Sequence, residues 1–267
     1  MSLSASETAP FYPSTRNIPE SARLKAQSDL ITDVAGGLIL CPIDLAASSL
    51  RILDSGTGDG QFLAQLRSRL AHPDSATVVG TDVASSESGL PSFVEWHKQN
   101  INTEWPSEWQ GTFDLVHQRN VLFVAGGFDR AVKAATRLAK LVKPGGWIQI
   151  VEGHMPNAPI SESDRPHIKM TEISGQFLNL GGFDTAPSTR LPELLKESDE
   201  LQSIRGLELS TRIGMGAKDE LREARRIWLK AFGNGLGNGL AQIGDKAPMG
   251  QAEFYDLMDQ VEWEAEI

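Results

Sequence analysis

Cysteine is almost absent: Cys41 is the only one in 267 residues. That excludes an intramolecular disulfide and a cysteine-built metal cluster, and it suits a reducing compartment. Basic excess is absent too. Lys and Arg number 25 against 35 Asp and Glu, a formal net charge of −10, which argues against a sequence-independent nucleic-acid surface because that needs clustered cations. The longest basic cluster, Arg222 to Arg226, is interrupted by Glu223 and reads as one solvated helix face. No apolar run approaches the roughly 20 residues that span a bilayer, so no membrane partner is expected. The opening Met-Ser-Leu-Ser-Ala-Ser-Glu-Thr lacks the positive flank and apolar core of a signal peptide; a cytoplasmic protein is expected. No His/Asp/Glu set stands at metal-ligand spacing, so metal-independent chemistry is expected.

What is present is organised around Arg51-Ile52-Leu53-Asp54-Ser55-Gly56-Thr57-Gly58-Asp59-Gly60-Gln61-Phe62-Leu63. A short apolar run ends in an acid, breaks into a loop with three glycines, and resumes as a helix. Strand, glycine turn and helix N-terminus in that order make a nucleotide or nucleoside site.

The chain around this stretch alternates strand and helix. The pattern predicts a covering helix over Pro19–Val34, either core cover or a lid, after an N-terminal tail. Strands are expected at Ser49–Asp54, Ala76–Val83, Pro91–His97, Phe113–Gln118 and Trp147–Glu152, with helices at Gly60–Ala71 and Asp129–Leu141. Lys143-Pro144-Gly145-Gly146 reads as the turn into strand five. Strands separated by helices imply right-handed crossovers and a doubly wound α/β domain with a mostly parallel sheet, whose ligands sit outside the carboxyl ends of the strands. Further on, helices are expected at Ile168–Leu180, Arg190–Glu197, Asp219–Phe232 and Gln251–Ala265, with a sixth strand over Gln202–Ile213. The doubled Gly-Asn-Gly-Leu unit from Gly233 to Leu240 reads as a flexible connection between two helices. The expected organisation is residues 1–48 as tail and covering helix, then one domain over 49–267, with a helical elaboration at about 155–200 and 217–267 lining the substrate pocket.

The surroundings of the glycines select the ligand. A phosphate loop needs Lys-Ser/Thr after its last glycine, and Gly60-Gln61-Phe62 excludes it. Asp54, placed before the glycines, would repel a pyrophosphate but suits an ammonium or a sulfonium-bearing ligand. Strand two ends in Asp82, at the spacing where an acid accepts both ribose hydroxyls. A nucleoside carrying an amino-acid cation fits both, which is S-adenosylmethionine.

Leu53-Asp54-Ser55-Gly56-Thr57-Gly58-Asp59-Gly60, Gly80-Thr81-Asp82, Phe113-Asp114-Leu115-Val116-His117-Gln118-Arg119 and Leu141-Val142-Lys143-Pro144-Gly145-Gly146-Trp147 resemble the successive motifs of class I methyltransferases. The last two are similar to those of the small-molecule methyltransferases of fungal secondary metabolism, and Tyr12, Glu20, Arg23-Leu24 and Gln27 are similar to that group's opening helix. The resemblance implies a Rossmann-like fold and a methyl transfer whose product is S-adenosylhomocysteine. It implies that Gly56, Thr57 and Gly58 approach the methionine part with Asp54 near the ammonium, Gln118 lies beside them, and Tyr12 and Arg23 contribute from the leading segment. Asp82 would hold the ribose, with Val83 against adenine. Where many such families carry an Asp after strand three, this chain has Gln99-Asn100-Ile101, so Asn100 would supply a neutral amide oxygen beside Ile101.

Methyl transfer needs nucleophile, methyl and sulfur in line, and a base only when the nucleophile must lose a proton. His154, after strand five, is the expected base. His117, inside a strand run, is expected to be a packed histidine. The acceptor expected is an O or N, less readily an S or C, of a small metabolite. Two other readings stay open: a cofactor-binding protein that catalyses a rearrangement or cyclisation, and a methyltransferase-like regulatory partner. The resemblance also implies a seventh, antiparallel strand; the chain ends Glu262-Trp263-Glu264-Ala265-Glu266-Ile267 inside or just after a helix, so that strand is expected to be missing and a homodimer across the sheet edge becomes a hypothesis.

Overall fold

The computed structural model describes residues 18–84, 89–155, 159–161, 165–183, 187–196, 200–210 and 218–266. These fall into two compact units: one of residues 32–154 and 186–209, the other of residues 1–31, 155–185 and 210–267. The first helix, α1 (Ile18–Ala35), runs from one into the other.

The first unit is built on five parallel strands, β1 (Arg51–Ser55), β2 (Thr77–Asp82), β3 (Val94–Lys98), β4 (Phe113–Arg119) and β5 (Val142–Val151), in the order β3-β2-β1-β4-β5. With α2 (Gln61–Arg67) and α3 (Phe128–Ala139) this is the expected doubly wound sheet. Strand residues alternate between faces, and the apolar ones follow suit. Ile52 and Leu115 join Phe62, Leu63 and Leu66 of α2 in one cluster. Leu53, Val79 and Val116 join Leu138 of α3 in another. Each such side chain, fully buried, stabilises the sheet by roughly 1.5–3 kcal/mol.

Lys143-Pro144-Gly145-Gly146 is not a turn before β5 but a bulge inside it. Pairing passes from Phe113↔Val142 to Leu115↔Trp147 with a register shift, and Gly145 takes φ +81°. Extra residues on one strand must bulge out of the ladder. Later in this unit, α5 (Pro187–Lys196) packs Leu191 and Leu195 into a cluster with Leu122, Ala131 and Ala135. The expected sixth strand does not form over its described part: residues 202–210 pair with no strand. Ile204 packs against the α5 cluster, but Leu207 and Leu209 are 69% and 40% exposed, so the alternation that suggested a buried strand has no core to face. Residues 211–213 of that stretch lie outside the described residues.

The second unit is helical. α4 (Pro166–Leu180), α6 (Arg222–Ile243) and α7 (Gln251–Glu266) share a core of Ile173, Phe177, Leu229, Leu240, Phe254 and Val261. The Gly-Asn repeat is therefore no flexible connection; it is the C-terminal half of a 22-residue helix. Three of its glycines let neighbours press on the backbone. A Cβ at Gly239 would stand 2.8 Å from Phe177 Cε2, one at Gly233 2.9 Å from Met258 Cε, and one at Gly237 2.7 Å from Tyr255 Cζ. Each glycine costs the helix about 1 kcal/mol relative to alanine, and the packed side chains offset it.

Candidate functional site

The carboxyl edge of the sheet gathers the polar side chains. β1 leads into the glycine loop with Gly56, Gly58 and Gly60 at φ +73°, +66° and +77°. The left-handed turn at Gly56 also brings the chain so close to Val121 that a Cβ would overlap its Cγ2. The loop is tied to the end of β2: Gly56 N and Thr57 N each donate to Thr81 O at 2.8 Å. Asp82 completes the tie. Its Oδ2 accepts from Gly58 N and its Oδ1 from Ala84 N, both at 3.1 Å.

Beneath the loop, Asp54 pairs with His117 in the β1–β4 register. His117 Nδ1 stands 2.7 Å from Asp54 Oδ1, with the two side chains 2% and 4% exposed, and the imidazole stacks on Phe62 at 3.5 Å between centroids and 8° between planes. His117 is thus packed, as expected, but it is not idle. Burial outweighs the attraction of the Asp54 carboxylate and pushes the imidazole below its ordinary value. That shift favours the neutral ring, and since a carboxylate only accepts, Nδ1–H donates to Asp54.

Next along the edge, Gln118 Oε1 accepts from Ser55 Oγ at 3.0 Å, while Gln118 Nε2 and Thr57 Oγ1 are buried without a partner. Buried polar atoms left unpaired are uncommon in finished folds. A free amide donor and a free hydroxyl beside a buried carboxylate suit an amino acid's carboxylate and ammonium, so the donor set fits the methionine end of S-adenosylmethionine.

At the end of β5 the chain places a group the sequence reading passed over. Glu152 Oε1 accepts from Val121 N and Leu122 N, both at 2.8 Å, and so caps the 3-10 turn Leu122–Ala125 that follows β4. Glu152 Oε2 is buried and unpartnered. Burial raises this carboxyl to about 7, against the lowering pull of the backbone N–H groups of Leu122, Val121 and Phe123. Asn120, at φ +54°, stitches the same corner: its N donates to Val151 O and its Oδ1 accepts from Gly153 N at 3.2 Å. The acid at the end of a strand was the available signal for Glu152; its partners lie 30 residues away in sequence.

The remaining expected site residues are less concentrated. Val83, 55% exposed, continues from β2 as an apolar surface. Asn100 Oδ1 accepts from Asn102 N at 2.9 Å in a local turn, and Ile101 is buried with Leu122 and Ala125. His154 is exposed, two residues past Glu152. Arg23 is on α1, in the part assigned to the helical unit, where Nη1 donates to Gln27 Oε1 at 3.3 Å. Tyr12 lies outside the described residues. His167 also belongs to the helical unit, with Nδ1 3.0 Å from Glu264 Oε2. A separate depression of about 270 Å³, lined by Glu104, Trp105, Lys133 and Arg137 among others, lies against α3 and includes none of the residues above. Among the described residues no group of three His, Cys, Asp or Glu side chains is placed to hold a metal ion, and no helix is long and apolar enough to cross a membrane.

Comparison with known proteins points to one family. The model of a family described as a methyltransferase domain matches residues 27–199. N-methyltransferase sirN of Leptosphaeria maculans is 33% identical over 266 residues, covering 93% of this chain and 86% of its own. N-methyltransferase gliN of Aspergillus fumigatus is 34% identical over 75% of this chain and 71% of its own. N-methyltransferase tcpN of Claviceps purpurea is 32% identical over 71% of each.

Proposed function

We propose, because the chain belongs to the methyltransferase domain family, that its reaction is methylation of a nitrogen on a small metabolite. It is an S-adenosylmethionine-dependent methyltransferase. The choice of nitrogen is supported by one observation: the three relatives above, similar over most of their length, are each named for N-methylation.

The bound cofactor supplies a methyl group on a sulfonium. The chain's own residues bind and orient it. Asp54, hydrogen-bonded by His117, takes the ammonium; Gly56, Thr57 and Gly58 line the methionine part with Gln118 Nε2 free to donate to its carboxylate. Asp82, its carboxylate fixed by two backbone N–H groups, accepts from the ribose hydroxyls, and adenine lies against Val83 with Asn100 and Ile101 beyond. Because substrate and methyl are held rather than activated, positioning is the main contribution, worth several kcal/mol. Where the nitrogen must lose a proton, His154 takes it. It is exposed and can pass the proton to water, whereas Glu152 has one oxygen committed to the backbone and the other sealed from solvent.

The test pairs acceptors that differ only in N–H against O–H at one position, with methyl-labelled S-adenosylmethionine. Label on nitrogen with matching release of S-adenosylhomocysteine is expected. Label on oxygen alone would sink the nitrogen assignment.

A further inference from the structure

We propose that His117 is a positioning residue for the cofactor: it fixes the Asp54 carboxylate so that one oxygen is left for the ammonium of S-adenosylmethionine. The inference rests on the reading of Asp54 as the ammonium's partner.

The argument is geometric. Asp54 and His117 are opposite each other on adjacent parallel strands, so their side chains leave the sheet on the same face. Both are almost fully buried, and Nδ1 to Oδ1 is 2.7 Å. The ring cannot swing away, because Phe62 lies flat against it at 3.5 Å. Phe62 belongs to α2, the helix the glycine loop feeds, so the same element that shapes the loop clamps the imidazole. The torsion that turns a carboxylate at the end of a short side chain is broad; a fixed N–H on Oδ1 restricts it and leaves Oδ2 for the ligand. Such a hydrogen bond to a carboxylate is stronger than one between neutral groups. Burial lowers the imidazole below its ordinary value and so favours the neutral ring, a donor that does not cancel the carboxylate's attraction for a cation. A lysine or arginine there would neutralise it.

A purely structural histidine would affect every ligand alike. A positioning residue acts only on ligands that carry the ammonium, and two adenosyl ligands separate the cases. S-adenosylhomocysteine has the amino-acid part and 5′-methylthioadenosine lacks it. Affinities are measured by calorimetry on the full chain. H117F keeps the ring and removes the donor: S-adenosylhomocysteine should weaken at least tenfold and 5′-methylthioadenosine by less than twofold. H117N, whose amide nitrogen stands where Nδ1 stands, should restore S-adenosylhomocysteine binding to within threefold of the wild type, although it loses the stack on Phe62. If H117F does not fold, H117Q, whose amide reaches the Nε2 position instead, should show the same selective loss. Equal loss of both ligands in the folded variant, or loss of neither, overturns the inference. D54N locates the failure. A selective loss in D54N without one in H117F leaves the Asp54 reading standing and removes only the role of His117; no selective loss in D54N removes both.

Discussion

Glycine does different work in the two units, and the difference separates binding from packing. In the sheet unit, Gly56, Gly58 and Gly60 are needed for backbone angles: all three have positive φ, where a side chain is strained. In the helical unit, Gly233, Gly237 and Gly239 sit inside a regular helix, so their angles suit any residue, and what they provide is room for Met258, Tyr255 and Phe177. The two units also differ in what they leave unsatisfied. Thr57 Oγ1, Gln118 Nε2 and Glu152 Oε2 collect at or just beyond the strand ends of one, while the apolar core of the other joins α4, α6 and α7. One unit stores several unpaired polar atoms where a ligand is expected; the other, among the described residues, keeps one, Arg225 Nε on α6.

The largest effect should come from Gly56→Ala. A left-handed alanine costs about 1–2 kcal/mol and the overlap with Val121 about 1–3 kcal/mol more. Both fall on the loop that meets the ligand. By calorimetry S-adenosylhomocysteine binding should become undetectable at concentrations that saturate the wild type, and the urea midpoint should drop. Wild-type affinity in this variant would break the contrast, since the angle would then not be required.

Much of the sheet unit was legible in the sequence because its signals are local. An apolar run, an acid, three glycines and a helix are consecutive, and β2 closes with its acid in the same way, so Asp54 and Asp82 could be read before any contact was known. The pairings that finish the site were not legible. His117 lies 63 residues from Asp54 and Glu152 lies 31 from Val121; only the strand order and register bring them together. The helical unit was misread where local preference and tertiary packing disagree. Glycine and asparagine favour a break, and only the side chains of α4 and α7 explain why α6 continues. Residues 202–209 erred the other way: an apolar alternation suggested a strand, but Leu207 and Leu209 face solvent.

The next effect sharpens the account of unpaired polar atoms, and its sign follows from Glu152. Folded, this carboxyl keeps its proton up to about 7; its ordinary value is 4.5. Between those values the folded state holds more protons than the unfolded state, so stability falls as pH rises. The contribution is fully present below 4.5 and gone above about 7. At about 1.4 kcal/mol per unit, the fall is on the order of 3 kcal/mol. Glu152→Gln keeps an oxygen for Val121 N and Leu122 N and removes the titration. Relative to wild type, the variant should gain about 3 kcal/mol between pH 5 and pH 8 in urea unfolding, while His117 and the other titrating groups cancel in the comparison. A difference that does not change with pH would mean that the carboxyl is not held protonated by burial.

The smallest effect completes the contrast from the helical side. Gly239→Ala adds a Cβ 2.8 Å from Phe177 Cε2, and that ring is 7% exposed in the core, so it must move against packed neighbours. Overpacking of this kind costs about 1–3 kcal/mol. The substitution also returns about 1 kcal/mol, because alanine is the better helix former, leaving a net loss of roughly 1 kcal/mol. The effect is small because the two terms oppose each other, whereas at Gly56 the angle and the overlap act in the same direction. Thermal unfolding should register the loss, while calorimetry should find S-adenosylhomocysteine affinity within twofold of wild type. If Gly239→Ala instead stabilised the protein, Phe177 would have found room, and the glycine would be there for neither angle nor space. If it weakened cofactor binding as Gly56→Ala does, the division of work between the two sets of glycines would fail.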